Sequence, residues 1–177
     1  MATKAAFLDR DGVINIDHGY VYRWDQFEFI AGVESALHAL QESGYTLVIV
    51  TNQSGIARGY FTETDFLALS QQLTQDLEVK GIHLAGIYHC PHHPEAGLGK
   101  LKTQCDCRKP APGLILRAAR ELDIDLTDSI LIGDKASDIE AGRRAGVGQL
   151  FQITDALPQS GARRVESLAA MTQLLEN

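Results

Sequence analysis

Four short stretches carry residues able to handle a phosphate group. Asp9-Arg10-Asp11-Gly12-Val13 sets two carboxylates two positions apart. On an extended segment such side chains point the same way, so Asp9 and Asp11 can face one site. Paired hard oxygens suit Mg²⁺, which keeps several waters and takes one or two carboxylates plus substrate phosphate. The same residues would also make an ordinary Asp/Gly turn. Thr51-Asn52-Gln53-Ser54-Gly55 offers hydroxyls, amides and backbone N–H groups to an anion, or forms a plain polar loop. Arg108-Lys109-Pro110 precedes Pro112, a good first-turn residue, and would place the Lys109 ammonium at a helix entry beside a phosphate. Gly133-Asp134-Lys135-Ala136-Ser137-Asp138 adds Asp134 as a further magnesium ligand. Asp138, one helical turn on, would orient Lys135 or a metal-bound water. Capping is the plainer use of these aspartates.

A second metal is suggested by the cysteines. The chain has 3, all between Cys90 and Cys107. A disulfide framework would need an even count. Cys90-Pro91-His92 with Cys105-Asp106-Cys107 supplies three thiolates and an imidazole, the set for a closed, structural tetrahedral Zn²⁺ site. His89 and His93 flank His92, so spacing alone leaves the choice of histidine open. Pro94, Gly97 and Gly99 fit an irregular loop that such a metal would staple.

These stretches must be positioned by a scaffold. Ala5–Leu8, Thr46–Val50, Ala85–Tyr88, Ile130–Ile132 and Gln149–Ile153 read as buried strands. Helical spacing links Val33, Ala36, Leu37 and Leu40; Phe66, Leu69, Leu73 and Leu77; and Ile115, Ala118, Ala119 and Leu122. Leu168, Met171 and Leu175 suggest a closing helix, and Thr62 with Asp65 a helix start. Strand–helix alternation predicts an α/β fold: a Rossmann-like, doubly wound parallel sheet with helices on both faces. Ligands of such sheets bind beyond the carboxyl ends of the strands, where strand order reverses. The four stretches all follow strands or open helices, and that places them at one edge.

Taken in order, carboxylate pair, hydroxyl, lysine and carboxylate resemble the four motifs of the haloacid dehalogenase-type phosphatases, from about Ala5 to Val147. The resemblance implies that Asp9 is the nucleophile, Asp11 the acid/base, Thr51 and Lys109 the groups stabilising the phosphoryl oxygens, and Asp134 the metal aspartate. Mg²⁺ would be held by Asp9, Asp11 (through its backbone carbonyl) and Asp134. The zinc loop narrows the resemblance to a branch of that family acting on small phosphorylated sugars or on a cationic aminoalkyl phosphate. It implies substrate contacts at Asp17, His18, Gly19, Tyr20, Thr51, Asn52, Gln53, Ser54, Arg108 and Lys109. Arg108, a bidentate guanidinium, suits a distal phosphate and so favours the sugar. A zinc-stapled binding module without catalysis is the competing class.

Composition frames these readings. With 177 residues, 45% hydrophobic and 22% charged, the chain is expected to form one domain, 1–177, with a zinc loop at about 90–107 and no large cap. Its formal net charge of −7 argues against a nucleic-acid partner. No apolar run approaches the roughly 20 residues that span a membrane, and the first residues lack a signal-peptide pattern. A cytoplasmic location follows as an expectation, and a monomer because no exposed apolar heptad is evident.

Overall fold

The computed structural model describes residues 2–176. Six strands form one sheet: β1 (Ala5–Leu8), β2 (Thr46–Asn52), β3 (Leu84–Cys90), β4 (Ile130–Gly133), β5 (Gln149–Ile153) and β6 (Ala162–Val165). Their order is β3-β2-β1-β4-β5-β6 and each neighbouring pair is parallel. The helices are α1 (Val33–Glu42), α2 (Ser54–Ala57), α3 (Glu63–Val79), α4 (Gly113–Glu121), α5 (Ala136–Ala145) and α6 (Leu168–Gln173).

Alternation along the strands builds two cores. Ala6, Leu8, Leu47, Ile49, Ile130 and Ile132 pack against Leu37, Leu40, Leu73, Leu77 and Met171 of α1, α3 and α6. Ala5, Phe7, Val48, Val50 and Leu131 face the other way, onto Ile115, Ala118 and Ile139 of α4 and α5. A strand covered on both faces must be apolar throughout, as β1 and β4 are. The doubly wound, Rossmann-like sheet inferred from the sequence is the one observed. Strand order reverses between β1 and β4, and the polar stretches emerge there.

Several boundaries differ from the sequence reading. Strand β2 runs on through Thr51 and Asn52, because Thr51 pairs with His89 and Asn52 with Cys90 on β3. The hydroxyl therefore sits on the strand rather than after it. Strand β6 had no counterpart in the pattern: Arg163 and Arg164 are exposed at the sheet's edge, so Ala162–Val165 shows no apolar run. Helix α6 ends at Gln173, before Leu175. Pro112 is the N-cap of α4 and lies outside the helix, whose first residue is Gly113. There the Gly113 N–H donates to the Asp106 carbonyl at 2.8 Å, and a Cβ on Gly113 would lie 2.2 Å from that oxygen. Close approach to the cysteine loop thus sets where α4 begins. The expected start of α3 is present as a reciprocal cap, Asp65 N–H to Thr62 Oγ1 at 3.0 Å and Thr62 N–H to Asp65 Oδ2 at 2.8 Å.

Candidate active site

Asp9 follows β1 directly, and its N–H still donates to Ile132 on β4. Beyond it the chain turns at once, with Val13, Ile14 and Asn15 all donating to the Arg10 carbonyl. Gly12 has φ +89, and a Cβ there would stand 2.2 Å from Asp134 Oδ2. Only glycine admits the β4 carboxylate so close to this turn. Gly133 plays the same part for Asp138, whose Cβ would lie 2.3 Å from an added one. These two glycines, signalled only by their place beside aspartates, let three carboxylates converge.

Asp9, Asp134 and Asp138 each bring a carboxylate oxygen within 4.8 Å of the others. Lys109, itself buried, reaches into this cluster from across the site. Its Nζ lies 3.0 Å from Asp9 Oδ1, 2.6 Å from Asp138 Oδ1, and donates to the Val50 carbonyl at 2.8 Å. The other Asp138 oxygen accepts the Lys135 N–H at 3.1 Å. Asp138 is thereby spent on Lys109 and on the start of α5; it orients Lys109 directly and Lys135 only through its backbone. Asp134 Oδ1, by contrast, is buried with no hydrogen-bond partner among the described residues.

The electrostatics follow from burial. Burial pushes the Asp9 carboxyl up to about 8; Lys109 opposes this, while Asp138 and Asp134 add to it. Asp134 is raised to about 6, by burial and then by Asp138. Burial also works against the Lys109 charge, but Asp138 and Asp9 outweigh it and hold its pKa above the usual lysine value. Carboxylates pushed toward protonation, one with an orphaned oxygen, fit a hard divalent cation.

Asp11 does not share this cluster. Its carboxylate accepts from Arg10 Nη2 at 3.0 and 3.2 Å, from Asn15 Nδ2 at 2.9 Å and from Gln53 Nε2 at 3.1 Å. The turn after β1 swings it out of strand geometry, so spacing of two does not make Asp9 and Asp11 ligate together through their side chains. Gln53 also donates to Thr51 Oγ1 at 2.9 Å and so ties hydroxyl and carboxylate together. Arg10 had drawn no sequence reading. Nothing in the pattern indicates that its guanidinium is buried, clamps Asp11 and donates to the Val21 carbonyl at 2.8 Å.

A cleft of about 300 Å³ opens above, lined by Asp11, Asp17, Gly19, Tyr20, Asn52, Gln53, Ser54, Gly55 and Lys135. Six of the expected substrate contacts thus meet at one opening. Thr51 and Lys109 lie buried beneath it. Gly19 and Tyr20 both take left-handed backbone, φ +83 and 52, after the Gly19 N–H closes on Asp17 Oδ1 at 3.0 Å. For tyrosine that conformation is costly, and such strain gathers at working sites. Tyr20 meets Tyr60 edge-on, ring centroids 4.7 Å apart. His18 is turned elsewhere: its Nε2 sits 2.8 Å from Glu28 Oε2 in a separate hollow. Arg108 does not line the cleft either, although Asn52 bonds the Lys109 main chain twice, at 3.0 and 3.1 Å, just beside it.

The cysteine cluster lies at the end of β3. Cys90, Cys105 and Cys107 sulfurs are 3.0–3.5 Å apart, and His92 Nδ1 lies 3.3 Å from Cys107 and 3.7 Å from Cys90. Tetrahedral neighbours at a zinc–sulfur distance of about 2.3 Å stand roughly 3.8 Å apart, so the four donors already approximate that figure. His89 is engaged with Glu63 at 2.7 Å, and His93 Nδ1 accepts two backbone N–H groups, which leaves His92 as the histidine of the set. Burial pushes the Cys90 thiol up and takes Cys107 to about 11. At Cys105 burial acts likewise, but S–H donation from Cys107 and Cys90 outweighs it and leaves that thiol below its usual value. Sulfur donors gathered this closely with one imidazole suit a soft cation, whose charge would offset the burial that holds Cys90 and Cys107 as thiols.

Comparison with known proteins agrees with this geometry. Residues 106–169 match the family model for HAD-hydrolase-like proteins. The D-glycero-beta-D-manno-heptose-1,7-bisphosphate 7-phosphatase of Vibrio cholerae is 52% identical over 158 residues, 89% of this chain and 85% of that protein. The enzyme of the same name from Photorhabdus laumondii is 56% identical over 154 residues, 87% of this chain and 82% of its own. Among solved structures, the D,D-heptose 1,7-bisphosphate phosphatase of B. bronchiseptica, complexed with magnesium and phosphate, superposes with a TM-score of 0.84 at 33% identity, covering 98% of both chains. The protein is a phosphatase of haloacid dehalogenase type and belongs to the family of D-glycero-beta-D-manno-heptose-1,7-bisphosphate 7-phosphatases.

Proposed function

We propose that this phosphatase removes the C7 phosphate of D-glycero-D-manno-heptose 1,7-bisphosphate through an aspartyl-phosphate on Asp9, with Mg²⁺ held by Asp9, Asp134 and the Asp11 backbone carbonyl. The observation that carries this reading is the buried Asp9–Lys109–Asp138 arrangement, with the free Asp134 oxygen beside it, beneath a cleft of sugar size. Mg²⁺ supplies charge neutralisation at the phosphoryl oxygens and lets an anionic nucleophile approach. Asp9 then forms a bond to phosphorus as the bond to the C7 oxygen breaks, and Asp11 gives that oxygen its proton. Next, Asp11 takes a proton from a water, whose oxygen attacks phosphorus and releases Asp9. Lys109 and the Thr51 hydroxyl hold the phosphoryl oxygens, and Gln53 keeps Thr51 and Asp11 in register. Asp17, Gly19, Tyr20, Asn52, Ser54 and Lys135 bound the sugar, and Arg108 takes the distal phosphate. Zn²⁺ on Cys90, His92, Cys105 and Cys107 is structural and fixes the chain that leads into Arg108 and Lys109. Such a reaction leaves a heptose 1-phosphate, the form that nucleotidyl transfer consumes in making the activated heptose of lipopolysaccharide core.

Support for the sugar over a cationic aminoalkyl phosphate comes from Arg108, whose guanidinium has no carboxylate partner among the described residues and suits an anion. Names of the relatives point to the β anomer at C1. Phosphate release should be measured from both heptose bisphosphate anomers, fructose 1,6-bisphosphate and histidinol phosphate, with Mg²⁺ and with excess chelator. The β-bisphosphate should show a kcat/KM about a hundredfold or more above that of histidinol phosphate, a difference typical of one lost charge-assisted contact set. Preference for histidinol phosphate would overturn the substrate, and undiminished turnover in chelator would overturn the magnesium role.

A further inference from the structure

Arg10 stands between two carboxylates of the site, yet its side chain is only 2% exposed, the depth of a core residue. One nitrogen makes all the hydrogen bonds of its guanidinium among the described residues. Nη2 donates to Asp11 Oδ1 at 3.0 Å and Oδ2 at 3.2 Å, and to the Val21 carbonyl at 2.8 Å. Nε and Nη1 are buried without a partner among the described residues. Stability is a poor reason to keep such a group. A buried ion pair seldom outweighs the hydration it gives up, and here two donors stay unsatisfied as well. Nor does the turn after β1 need this side chain. Its backbone is closed by the Val13, Ile14 and Asn15 N–H groups on the Arg10 carbonyl and by the Gly12 N–H on that of Asn15.

What the guanidinium does fix is the Asp11 carboxylate. The other donors there, Asn15 Nδ2 and Gln53 Nε2, are neutral amides that hold one oxygen each, at 2.9 and 3.1 Å. Arg10 reaches both oxygens through a charge-assisted contact, stronger than either amide bond, and so sets the rotation of the carboxylate. Cζ lies over the Phe66 ring of α3, 5.9 Å from its centroid, and packing there limits how far the fork can swing. The second contact of Nη2 carries this placement to the cleft. Val21 is buried and directly follows the Asp17–Tyr20 segment, of which Asp17, Gly19 and Tyr20 form part of the cleft wall. One buried nitrogen thus ties the Asp11 carboxylate to the stretch of chain that bounds the bound sugar.

We propose that Arg10 is a positioning residue for proton transfer: it aims Asp11 at the leaving oxygen and registers it against the sugar-bounding segment. This role rests on the reading of Asp11 as the acid/base. The test compares kcat/KM, with Mg²⁺, for the heptose 1,7-bisphosphate and for para-nitrophenyl phosphate, whose leaving oxygen needs no proton. Arg10→Met, Asp11→Asn and the double variant are measured beside wild type. Arg10→Met should lose about tenfold to a hundredfold on the sugar, the effect of a group misplaced by about 1 Å, and about threefold or less on the aryl ester. Arg10→Lys, which keeps the charge without the fork, should recover part of the loss. In the Asp11→Asn background, Arg10→Met should cost no more than about twofold further on the sugar, because the two residues act as one unit. Should Arg10→Met fail to fold by circular dichroism, Arg10→Lys is judged by the same ratios, with a smaller and equally selective loss expected. No loss, equal losses on both substrates, or a full further loss in the double variant overturns the role of Arg10 while a selective Asp11→Asn leaves the acid/base reading standing. Equal losses on both substrates in Asp11→Asn itself overturn both.

Discussion

Asp9 and Asp11 are two residues apart yet live in different surroundings, and this divides their work. Asp9 is buried against Lys109, where ionisation is held back by burial. Asp11 lies at the cleft wall with three amide or guanidinium donors on it. Removing charge from each should therefore fail differently. On the proposed mechanism Asp9→Asn leaves no carboxylate to attack phosphorus, so turnover should drop by at least about a thousandfold. Its thermal stability should hold or rise in the absence of metal, because the variant relieves burial and the repulsion from Asp134 and Asp138. Asp11→Asn keeps the proposed nucleophile but loses the proposed proton carrier, a deficit of about 10²–10⁴ in kcat. That deficit should shrink for an aryl phosphate whose leaving oxygen needs no proton. Equal losses on both kinds of leaving group would remove Asp11 from acid catalysis, and substantial Mg²⁺-dependent turnover by Asp9→Asn would remove Asp9 from the nucleophile's role.

At the scale of elements, what could be read from the sequence tracks how much of a segment's fate is decided by its own residues. The buried strands β1, β2, β4 and β5 and the stripes of α1, α3 and α4 announce themselves because burial on a sheet or one helix face demands an apolar pattern. Strand β6 does not: at an edge Arg163 and Arg164 stay exposed, and only pairing with β5 makes it a strand. The same limit applies within the site. Residue type and order mark Asp9, Thr51, Lys109 and Asp134, and cysteine spacing marks the loop, but the clamp of Arg10 on Asp11 and the turn of His18 toward Glu28 depend on a fold that brings distant atoms together. The loop itself gives a prediction. Cys107 is followed directly by Arg108 and Lys109, and its neighbour Asp106 pins the first residue of α4. In Cys107→Ser the sheet and its circular dichroism should persist, since Cys107 only packs, half-buried, against the second core and is not one of its buried members. Activity should fall about a hundredfold, the usual effect of misplacing a phosphate-binding group by about 1 Å. Metal analysis should give about one zinc per wild-type chain. Unchanged catalysis in Cys107→Ser, or a fully active zinc-free wild type, would refute the loop's role.

For the molecule as a whole, convergence of carboxylates at the β1–β4 reversal links global stability to pH and, on the proposed function, to magnesium. The folded Asp9 carboxyl titrates at about 8 and Asp134 at about 6, both raised by burial first, against 3.8 in the unfolded chain. Between those limits the native state binds protons that the unfolded state has released, so stability contributed by these groups falls as pH rises. It is fully present below pH 3.8 and lost above about 8. Surface carboxylates act oppositely: Arg143 and Arg144 hold Glu140 at about 2, and Glu121 and Asp125 are also lowered. A bare stability profile therefore mixes two signs. The difference between magnesium-loaded and magnesium-free protein isolates the site, provided no chelator strips the cysteine loop. A cation bound there competes with the protons, so its stabilisation should grow with pH. At a fixed concentration a hundred times its Kd at pH 8, Mg²⁺ should raise Tm by about 5–10 °C at pH 8 and by less than half of that at pH 5. In Asp9→Asn the pH dependence of this shift should flatten, because one of the two competing protons is gone. A magnesium shift that is equal at the two pH values, or larger at pH 5, would mean that these carboxylates do not form the cation's site.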